Sequence, residues 1–391
     1  MRLLQEGDRI RDTYEVERLL GEGAFAEVYR VRHRFMGHQA LKLFKAPGAT
    51  IADIERDLAE ALLLSAIRHP NIVEVYDANL LETPRGNFGY FTMTYVSGGS
   101  LEQYWKSFGS ELMLVDQSVE IIRQICRGLA VAHAATPPIV HRDIKPANIL
   151  VGFDTSGLHT RLTDFGLAKA VNPLTLLATS RGTIGFKPPE SLNNVDSRAA
   201  DIWGVGATLY LLLTDQMPFP SLGQRDTGNA NRFLRPLRLP SLYNIRVDSG
   251  LESILFRCLA ASPQDRYQSA MELLADLDLW EPDTGAQAML SETQSSKGAL
   301  SGYTGRDLRA EAASALSEAM HLAKDSMKLM AAADLLEEAM CKDPALHERF
   351  VGHLELWRRG IMHCSTAELQ SSTSARRIRL GAGGRHESRK P

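Results

Sequence analysis

The sequence predicts an α+β protein with a small β-rich lobe, a larger helical lobe and an all-α C-terminal extension. Residues 14–99 have mostly strand-like patterning, interrupted by one helical segment at about 50–67. Long helical runs separated by polar loops dominate residues 100–280. Ala, Leu, Met, Glu and Lys recur at helical spacing between about 306 and 363, which indicates two or three further amphipathic helices.

Length and composition agree with this division. At 391 residues the chain exceeds what one hydrophobic core usually supports, and 44% hydrophobic with 23% charged residues is ordinary for a soluble globular protein. The predicted parts are a domain at 1–281 with lobes at about 1–98 and 99–281, a Gly/Ser/Thr-rich linker at 282–305, a helical extension at 306–365 and a basic, disordered tail at 366–391.

Charge and hydropathy exclude several classes of partner. A net charge of -3 gives no overall field that would hold nucleic acid, and we expect no specific nucleic acid partner. The longest apolar run, residues 204–213, is about half the roughly 20 residues that span a bilayer. Glu6 and Asp8 precede any signal-like run, and four scattered cysteines form no disulfide framework. We therefore expect a cytoplasmic protein without a membrane span.

A glycine turn joins two strand-like runs in the stretch LLGEGAFAEVYRVRHR, residues 19–34. Gly21 and Gly23 begin a G-x-G-x-x-G pattern, but Ala26 stands where the third glycine would be. The residues after Ala26 are strand-like, whereas a dinucleotide-binding turn opens a helix. No Gly-Lys-Ser/Thr follows, so the stretch is not a Walker loop. The remaining interpretations are an ordinary hairpin and a glycine loop that covers a nucleotide.

The next predicted strand, GHQALKLFK, carries Lys42 among apolar residues. A buried lysine needs an anionic partner, and nucleotide phosphate and a helix carboxylate both qualify. On the following predicted helix, Glu60 shares a face with Leu63 and Leu64, so it is the best carboxylate partner. The alternative is that Lys42 and Glu60 are both solvated and unpaired.

Two further motifs are HRDIKPANIL at residues 141–150 and LTDFGLA at residues 162–168. In order and spacing the whole set resembles the eukaryotic-type (Hanks-type) serine/threonine protein kinase family, from about residue 19 to 266. The resemblance implies a two-lobed protein kinase fold. The compact helical lobe and the stretch RYQSAMELLADL resemble bacterial members of the family.

The resemblance implies a role in phosphoryl transfer for each motif. Asp143 would orient the acceptor hydroxyl and take its proton, while Lys145 would offset charge on the γ-phosphate. Lys42, held by Glu60, would bind the α and β phosphates of ATP. Lys145 stands two residues after Asp143, and a lysine at that position is typical of serine/threonine kinases. The expected partners are therefore protein substrates phosphorylated on Ser or Thr.

Metal and nucleotide binding follow from the same resemblance. Asn148 and Asp164 would hold Mg²⁺, which prefers oxygen ligands. Adenine would lie between apolar side chains with its edge on the backbone of residues 93–96, and the alanine in the glycine loop could reduce nucleotide affinity without abolishing the site. The nucleotide-binding residues implied in this way are Leu20, Gly21, Glu22, Gly23, Ala24, Phe25, Ala26, Glu27, Val28, Ala40, Lys42, Met93, Thr94, Val96 and Leu150.

The stretch RGTIGFKPPE, residues 181–190, resembles the end of a kinase activation segment, which kinases of small molecules generally lack. Arg266 is placed to pair with Glu190, and Asp201 would bond the catalytic loop from a buried helix. Arg142 directly precedes Asp143 and would bind a phosphate group on the activation loop. The predicted sites of autophosphorylation are Thr175, Thr179 and Ser180.

Beyond the predicted linker, Ala332, Leu336, Ala339 and Pro344 have spacings that resemble the second helix of a tetratricopeptide repeat. The first helix matches poorly, because Met320 stands where a small residue should let the helices approach. An ordinary helical hairpin is the alternative, and the extension could dock on the kinase, pair with another chain or bind a protein partner. A pseudokinase scaffold is the rival function, disfavoured because the key catalytic and metal-binding residues are intact.

Overall fold

The structure is a computed structural model that describes residues 2–45, 55, 58–59, 61, 64–109, 111–154, 157–165, 183–193, 197–220, 233, 235–282 and 304–361. Glu60, the three predicted autophosphorylation sites, most of the predicted linker and the basic tail lie outside these residues. In the described segments, no helix combines the length and the apolarity needed to cross a membrane.

The N-terminal lobe is a six-stranded antiparallel sheet in the order β1-β2-β3-β4-β6-β5. Its strands are β1 Arg9–Ile10, β2 Tyr14–Glu22, β3 Ala26–His33, β4 Gly37–Phe44, β5 Val75–Thr83 and β6 Gly86–Thr94. Alternation along β3 and β4 buries Tyr29, Val31 and Leu41 in a cluster on one side, while Ala40 faces the main core. Both faces of the central strands are therefore covered. Helical residues at 55, 58, 59, 61, 64 and 65 belong to the predicted helix between β4 and β5.

The C-terminal lobe is mostly helical and contains one hairpin, formed by β7 Ile149–Asp154 and β8 Gly157–Leu162. Its α-helices are α1 Leu101–Ser107, α2 Val115–Ala134, α3 Arg198–Thr214, α4 Ser249–Cys258 and α5 Ala270–Leu279. Helix α3 contains the longest apolar run and is buried on all sides except at its first residue, which is how a helix at the centre of a lobe should be composed. The two-lobed α+β prediction is confirmed.

The C-terminal extension forms α6 Thr304–Leu322, α7 Leu329–Lys342 and α8 His347–Arg358. The prediction that Met320 stands at a helix contact is wrong, because its side chain is exposed and Ala312 and Ala319 are fully buried instead. A shift of one residue turns a helix face by about 100°. Small residues therefore do line the side of α6 that packs on α7, in a different register from the predicted one.

Candidate active site

The glycine turn lies between β2 and β3, and Gly21 and Gly23 line the cleft between the lobes. The N–H of Gly23 donates to the carbonyl of Ala26 at 2.8 Å, which closes the turn. Gly21 has a φ outside the left-handed range, and an added Cβ there would meet no protein atom within 4 Å. The fold itself therefore does not require glycine at position 21. Close approach of a ligand to the backbone is the remaining physical reason for a residue without a side chain.

Lys42 lies on β4, opposite Val28 of β3. Its Nζ is 2.8 Å from Oδ1 of Asp164, and its side chain is only 12% exposed. The ammonium group also lies 5.5 Å from the ring centroid of Phe91. The lysine predicted to be buried therefore has an anionic partner, Asp164, from the Asp-Phe-Gly (DFG) part of the LTDFGLA motif. Glu60, the partner expected from the sequence, lies outside the described residues.

The catalytic-loop residues form a hydrogen-bonded group around Asp143. Lys145 Nζ is 2.9 Å from Oδ2 of Asp143. The amide nitrogen of Asn148 donates to the Asp143 carbonyl at 2.8 Å and to its carboxylate at 3.0 Å. Asn148 is held in place because it ends a short 3₁₀ turn, Pro146–Asn148, that begins with proline. Two predicted site residues, Lys145 and Asn148, therefore converge on the carboxylate of a third, Asp143.

Asp201, at the start of α3, orients this loop from below. Its carboxylate accepts the backbone N–H groups of His141 and Arg142, each at 2.7 Å. Nε2 of His133 lies 3.1 Å from the same carboxylate, and Asp201 itself is buried. The predicted contact between Asp201 and the catalytic loop is confirmed. It stabilises a loop in which Arg142 has φ 70°, a conformation that costs a residue other than glycine on the order of 1–3 kcal/mol.

The catalytic loop and the DFG segment contact each other through His141. Its Nε2 is 3.0 Å from the Thr163 carbonyl, and its ring is 4.3 Å from that of Phe165 between centroids. Burial lowers the pKa of His141, so the neutral ring is favoured. The N–H of Thr163 also donates to the Asn148 carbonyl at 3.0 Å. These bonds fix Asp164, which follows Thr163 and has φ 58°, beside the catalytic loop.

The cleft between the lobes has a volume of about 820 Å³, which is in the range of small-molecule sites. The predicted nucleotide-binding residues at its surface are Leu20, Gly21, Glu22, Gly23, Val28, Ala40, Met93, Thr94, Val96 and Leu150. Asp164 also lines it. The remaining predicted nucleotide-binding residues, Ala24, Phe25, Ala26, Glu27 and Lys42, are not part of its lining, although Lys42 contacts Asp164, which is. The side chain of Glu27 points to the other face of the sheet, where its carboxylate accepts hydrogen bonds from Leu3 and Tyr29.

Several residues that line the cleft were missed by the sequence analysis. Four of them come from the C-terminal extension: Glu311 of α6 and Glu338, Cys341 and Lys342 of α7. Lys342 Nζ lies 3.1 Å from Glu311 and 3.2 Å from Glu338. The sequence of α7 could have indicated this contact, because it is rich in Ala and Leu and is more apolar than expected for a helix with a solvated face.

Arg266 forms the predicted ion pair with Glu190, at 2.6 and 2.9 Å. The guanidinium is fully buried and also donates to backbone carbonyls of Ala199, Ala260 and Ala261. A buried charge is tolerated only when its hydrogen bonds are satisfied, and here they are. The pair fixes the end of the activation segment against the helical lobe, so this prediction is confirmed.

The donors near Asp164 fit a hard divalent cation. Asp164 offers carboxylate oxygens toward the cleft, and its side chain is 42% exposed. Because the amide nitrogen of Asn148 is held by Asp143, the amide oxygen is the atom with which Asn148 would bind a metal. Two protein oxygens suit Mg²⁺, which keeps waters and takes its other ligands from substrate phosphates.

Comparison with known proteins agrees with this geometry. The family model described as "Protein kinase domain" matches residues 14–277. The chain therefore belongs to the protein kinase family. Within that family it is 32% identical over 283 residues to the serine/threonine-protein kinase PknB of Mycobacterium tuberculosis, an alignment that covers 68% of this chain and 43% of PknB.

Other relatives and one solved structure support the same assignment. The serine/threonine-protein kinase PrkC of Bacillus subtilis is 32% identical over 278 residues, with 69% of this chain and 41% of PrkC covered. The crystal structure of the Mycobacterium tuberculosis PknI kinase domain matches with a TM-score of 0.52 at 26% identity, and the match covers 70% of this chain and 98% of that one. This chain thus matches less than half the length of the curated relatives.

Proposed function

We propose that this protein is a serine/threonine protein kinase that transfers the γ-phosphate of ATP to protein hydroxyl groups. One observation carries the proposal: the Asp143 carboxylate holds Lys145 and Asn148, and Asp164, which lines the cleft, pairs with Lys42. Phosphoryl transfer requires positioning and neutralisation of charge rather than covalent chemistry by the protein. The Asp143 carboxylate with Lys145 and Asn148, together with the Lys42–Asp164 pair, meets both requirements.

Each side chain has a role in this mechanism. The Asp143 carboxylate orients the acceptor hydroxyl and accepts its proton as the oxygen attacks the γ-phosphorus, while the bond from that phosphorus to the β,γ-bridging oxygen breaks and ADP leaves. Lys145, which is 2.9 Å from that carboxylate, offsets the negative charge that develops on the transferred group. Lys42 binds the α and β phosphates, and the backbone amides of the turn around Gly21 and Gly23 cover them. Glu60 keeps its proposed role as a partner of Lys42.

We propose that Asn148 and Asp164 hold Mg²⁺. The ion, when bound, neutralises charge on the triphosphate and so favours transfer. The oxygen donors of the two side chains and the hydrogen bonds that orient Asn148 support this assignment. Adenine would lie among Val28, Ala40 and Leu150, all of which line the cleft.

The test is transfer of labelled phosphate from ATP and Mg²⁺ to a generic Ser/Thr protein substrate. Wild type should label the substrate, and Asp143→Asn should lose nearly all of this activity because it removes the proton acceptor. Asp116→Asn is the matched control, since Asp116 is an exposed residue at the start of α2. Equal labelling by wild type and Asp143→Asn, or none by wild type, would refute the proposal.

Autophosphorylation at Thr175, Thr179 or Ser180 stays a prediction. Its support is the position of Arg142, which directly precedes Asp143 and belongs to the loop held by Asp201. Mass spectrometry of wild type incubated with ATP should find phosphate on at least one of the three residues, and Asp143→Asn should carry none. Active wild type with all three residues unmodified would contradict it.

The domain division is also a proposal. A kinase domain at 1–281 is supported by the family match, which ends at residue 277, and by α5, which ends at Leu279. The extension at 306–365 is supported by α6 to α8, the first of which begins at Thr304, just inside the predicted linker. A protein partner that binds through the C-terminal helices stays a prediction.

A further inference from the structure

Helix α7 of the extension is part of the same hydrophobic core as the kinase lobes. Ala332, Ala333, Leu336, Ala339 and Met340 are all fully buried and belong to the cluster that includes residues of both lobes. Helices α6 and α8 cover part of α7, and α1 and β7 of the C-terminal lobe cover another part, which undocking would expose to water.

A buried carboxylate, Glu337, joins α7 to the C-terminal lobe and to the linking segment, residues 95–100, which connects β6 to α1 and so links the lobes. Its side chain accepts a hydrogen bond from the Ser97 hydroxyl, next to Val96 in the linking segment. It also accepts the backbone N–H of Phe153 in β7 at 2.8 Å and pairs with Arg358 of α8. Glu337 is 1% exposed, and such burial is tolerable only because several donors satisfy the carboxylate.

The approach of α7 to β7 depends on a glycine. A Cβ on Gly152 would lie 2.9 Å from Oε1 of Glu337 and 2.4 Å from Nε2 of His159. A side chain at this position would therefore force the His159 ring and the Glu337 carboxylate to move from their present places. The contact therefore depends on residues of the kinase lobe, Gly152 and Phe153, as well as on Glu337 of the extension.

The same helix reaches the N-terminal lobe through Asp334, one turn before Glu337. Its Oδ2 is 2.9 Å from Nδ1 of His38 and 3.5 Å from Nη1 of Arg30. Glu17 contacts both of these residues, at 3.2 Å to His38 and 2.5 Å to Arg30. Tyr95 completes the cluster, with Arg30 5.4 Å from its ring centroid. Two acidic residues thus balance two basic ones at this contact.

We propose that α7 is an interlobe brace, anchored by Asp334 on the N-terminal lobe and by Glu337 on the linking segment and β7, which positions the two walls of the nucleotide cleft. The proposal rests on the proposed kinase function. Asp334 and Glu337 are positioning residues, since they act through the elements that they hold. Ser97 adjoins Val96, whose backbone is proposed to bind adenine, so the brace acts where the nucleotide is recognised.

Loss of the brace should weaken nucleotide binding more than chemistry. Without it the lobes sample more open arrangements, and apparent affinity falls in proportion to the fraction of molecules that retain the binding-competent one. Asp143, Lys145 and Asn148 lie together in the C-terminal lobe, so a nucleotide once bound meets the same catalytic group. The expected result is a KM for ATP that rises roughly three- to tenfold, with kcat within about twofold.

The experiment compares three variants of the full chain. Glu337→Leu keeps the side-chain volume but removes every acceptor atom, and Asp334→Asn keeps the shape and removes the charge. Glu318→Leu is the matched control, because Glu318 is an exposed residue of α6. For each, KM and kcat for ATP are measured together with thermal unfolding and amide hydrogen exchange in residues 94–99 and 329–342.

We expect Glu337→Leu and Asp334→Asn to raise KM and to exchange faster in both segments, with the milder effect for Asp334→Asn. If both variants fold and their KM values equal that of Glu318→Leu, or fall below it, the brace is refuted. If Glu337→Leu fails to fold, Asp334→Asn decides alone. If wild type transfers no phosphate, the kinase proposal fails, and unchanged hydrogen exchange in the variants would then refute the brace separately.

Discussion

The most direct test of the glycine loop is Gly21→Ala. An added Cβ meets no protein atom within 4 Å and the backbone φ is not left-handed, so the fold accommodates alanine. Restricting the unfolded chain should then leave the free energy of unfolding unchanged or raise it by up to about 1 kcal/mol. The methyl group would instead occupy space that a phosphate needs. Loss of one hydrogen bond to a charged group costs about 1.5–3 kcal/mol, which corresponds to a KM for ATP raised about tenfold or more.

Gly7→Ala is the matched control for this variant. A Cβ added to Gly7 would also meet no protein atom within 4 Å, but the φ of Gly7 is +87°, which alanine adopts only with strain. The substitution should lower the free energy of unfolding by about 1–3 kcal/mol and leave the KM for ATP unchanged. Denaturant unfolding and steady-state kinetics measure both quantities. A Gly21→Ala protein with a wild-type KM, or one destabilised as much as Gly7→Ala, would refute the assignment of Gly21 to the phosphate loop.

Three other perturbations have defined outcomes. Arg266→Met should lower the free energy of unfolding by about 3–5 kcal/mol, because it leaves Glu190 without its buried partner; an unchanged denaturation midpoint would contradict this. Asp201→Asn should misplace the catalytic loop and lower kcat by about a hundredfold while nucleotide binding persists, which kinetics and ATP titration would separate. Asp334 and Glu17 raise the pKa of His38 from 6.5 to about 9. The contribution of protonated His38 to the free energy of unfolding is therefore fully present below about pH 6.5 and is lost as the pH rises through about 9. The His38→Gln variant should lack this pH dependence of unfolding.

The convergence of the predicted site residues Lys145 and Asn148 on Asp143 could be anticipated because each lies in a short segment fixed by local structure. Asp143, Lys145 and Asn148 fall within six residues that end in a 3₁₀ turn, so spacing alone nearly determines their convergence. The contacts of Asp201 and Arg266 were predicted from the same pattern. The partner of Lys42 was harder, because strand periodicity shows that the side chain is inward but not which of several carboxylates it meets; Asp164 was expected only as a metal ligand.

The docking of the extension could not be predicted in this way. Ser97 and Glu337 are 240 residues apart along the chain, and their contact depends on how two preformed surfaces fit. Periodicity indicated helices but not which face meets which neighbour, as the wrong register at Met320 illustrates. Glu337 and Glu338 are adjacent glutamates of the same helix, α7. Only the packing of α7 distinguishes Glu337 from Glu338, which remains partly exposed and contacts Arg18 at 3.2 Å.

The contribution of α6 and α7 to the cleft has a consequence for inhibitor selectivity. Glu311, Glu338, Cys341 and Lys342 line the cleft but lie beyond residue 277, where the match to the kinase family ends. A compound that fills the adenine pocket and extends toward these side chains would meet chemistry that kinases without such an extension lack. Burial raises the pKa of the Cys341 thiol to about 12, so reversible polar groups suit this region better than thiol-reactive ones. A compound screen that uses a shortened protein ending before α6 would miss compounds that bind these side chains.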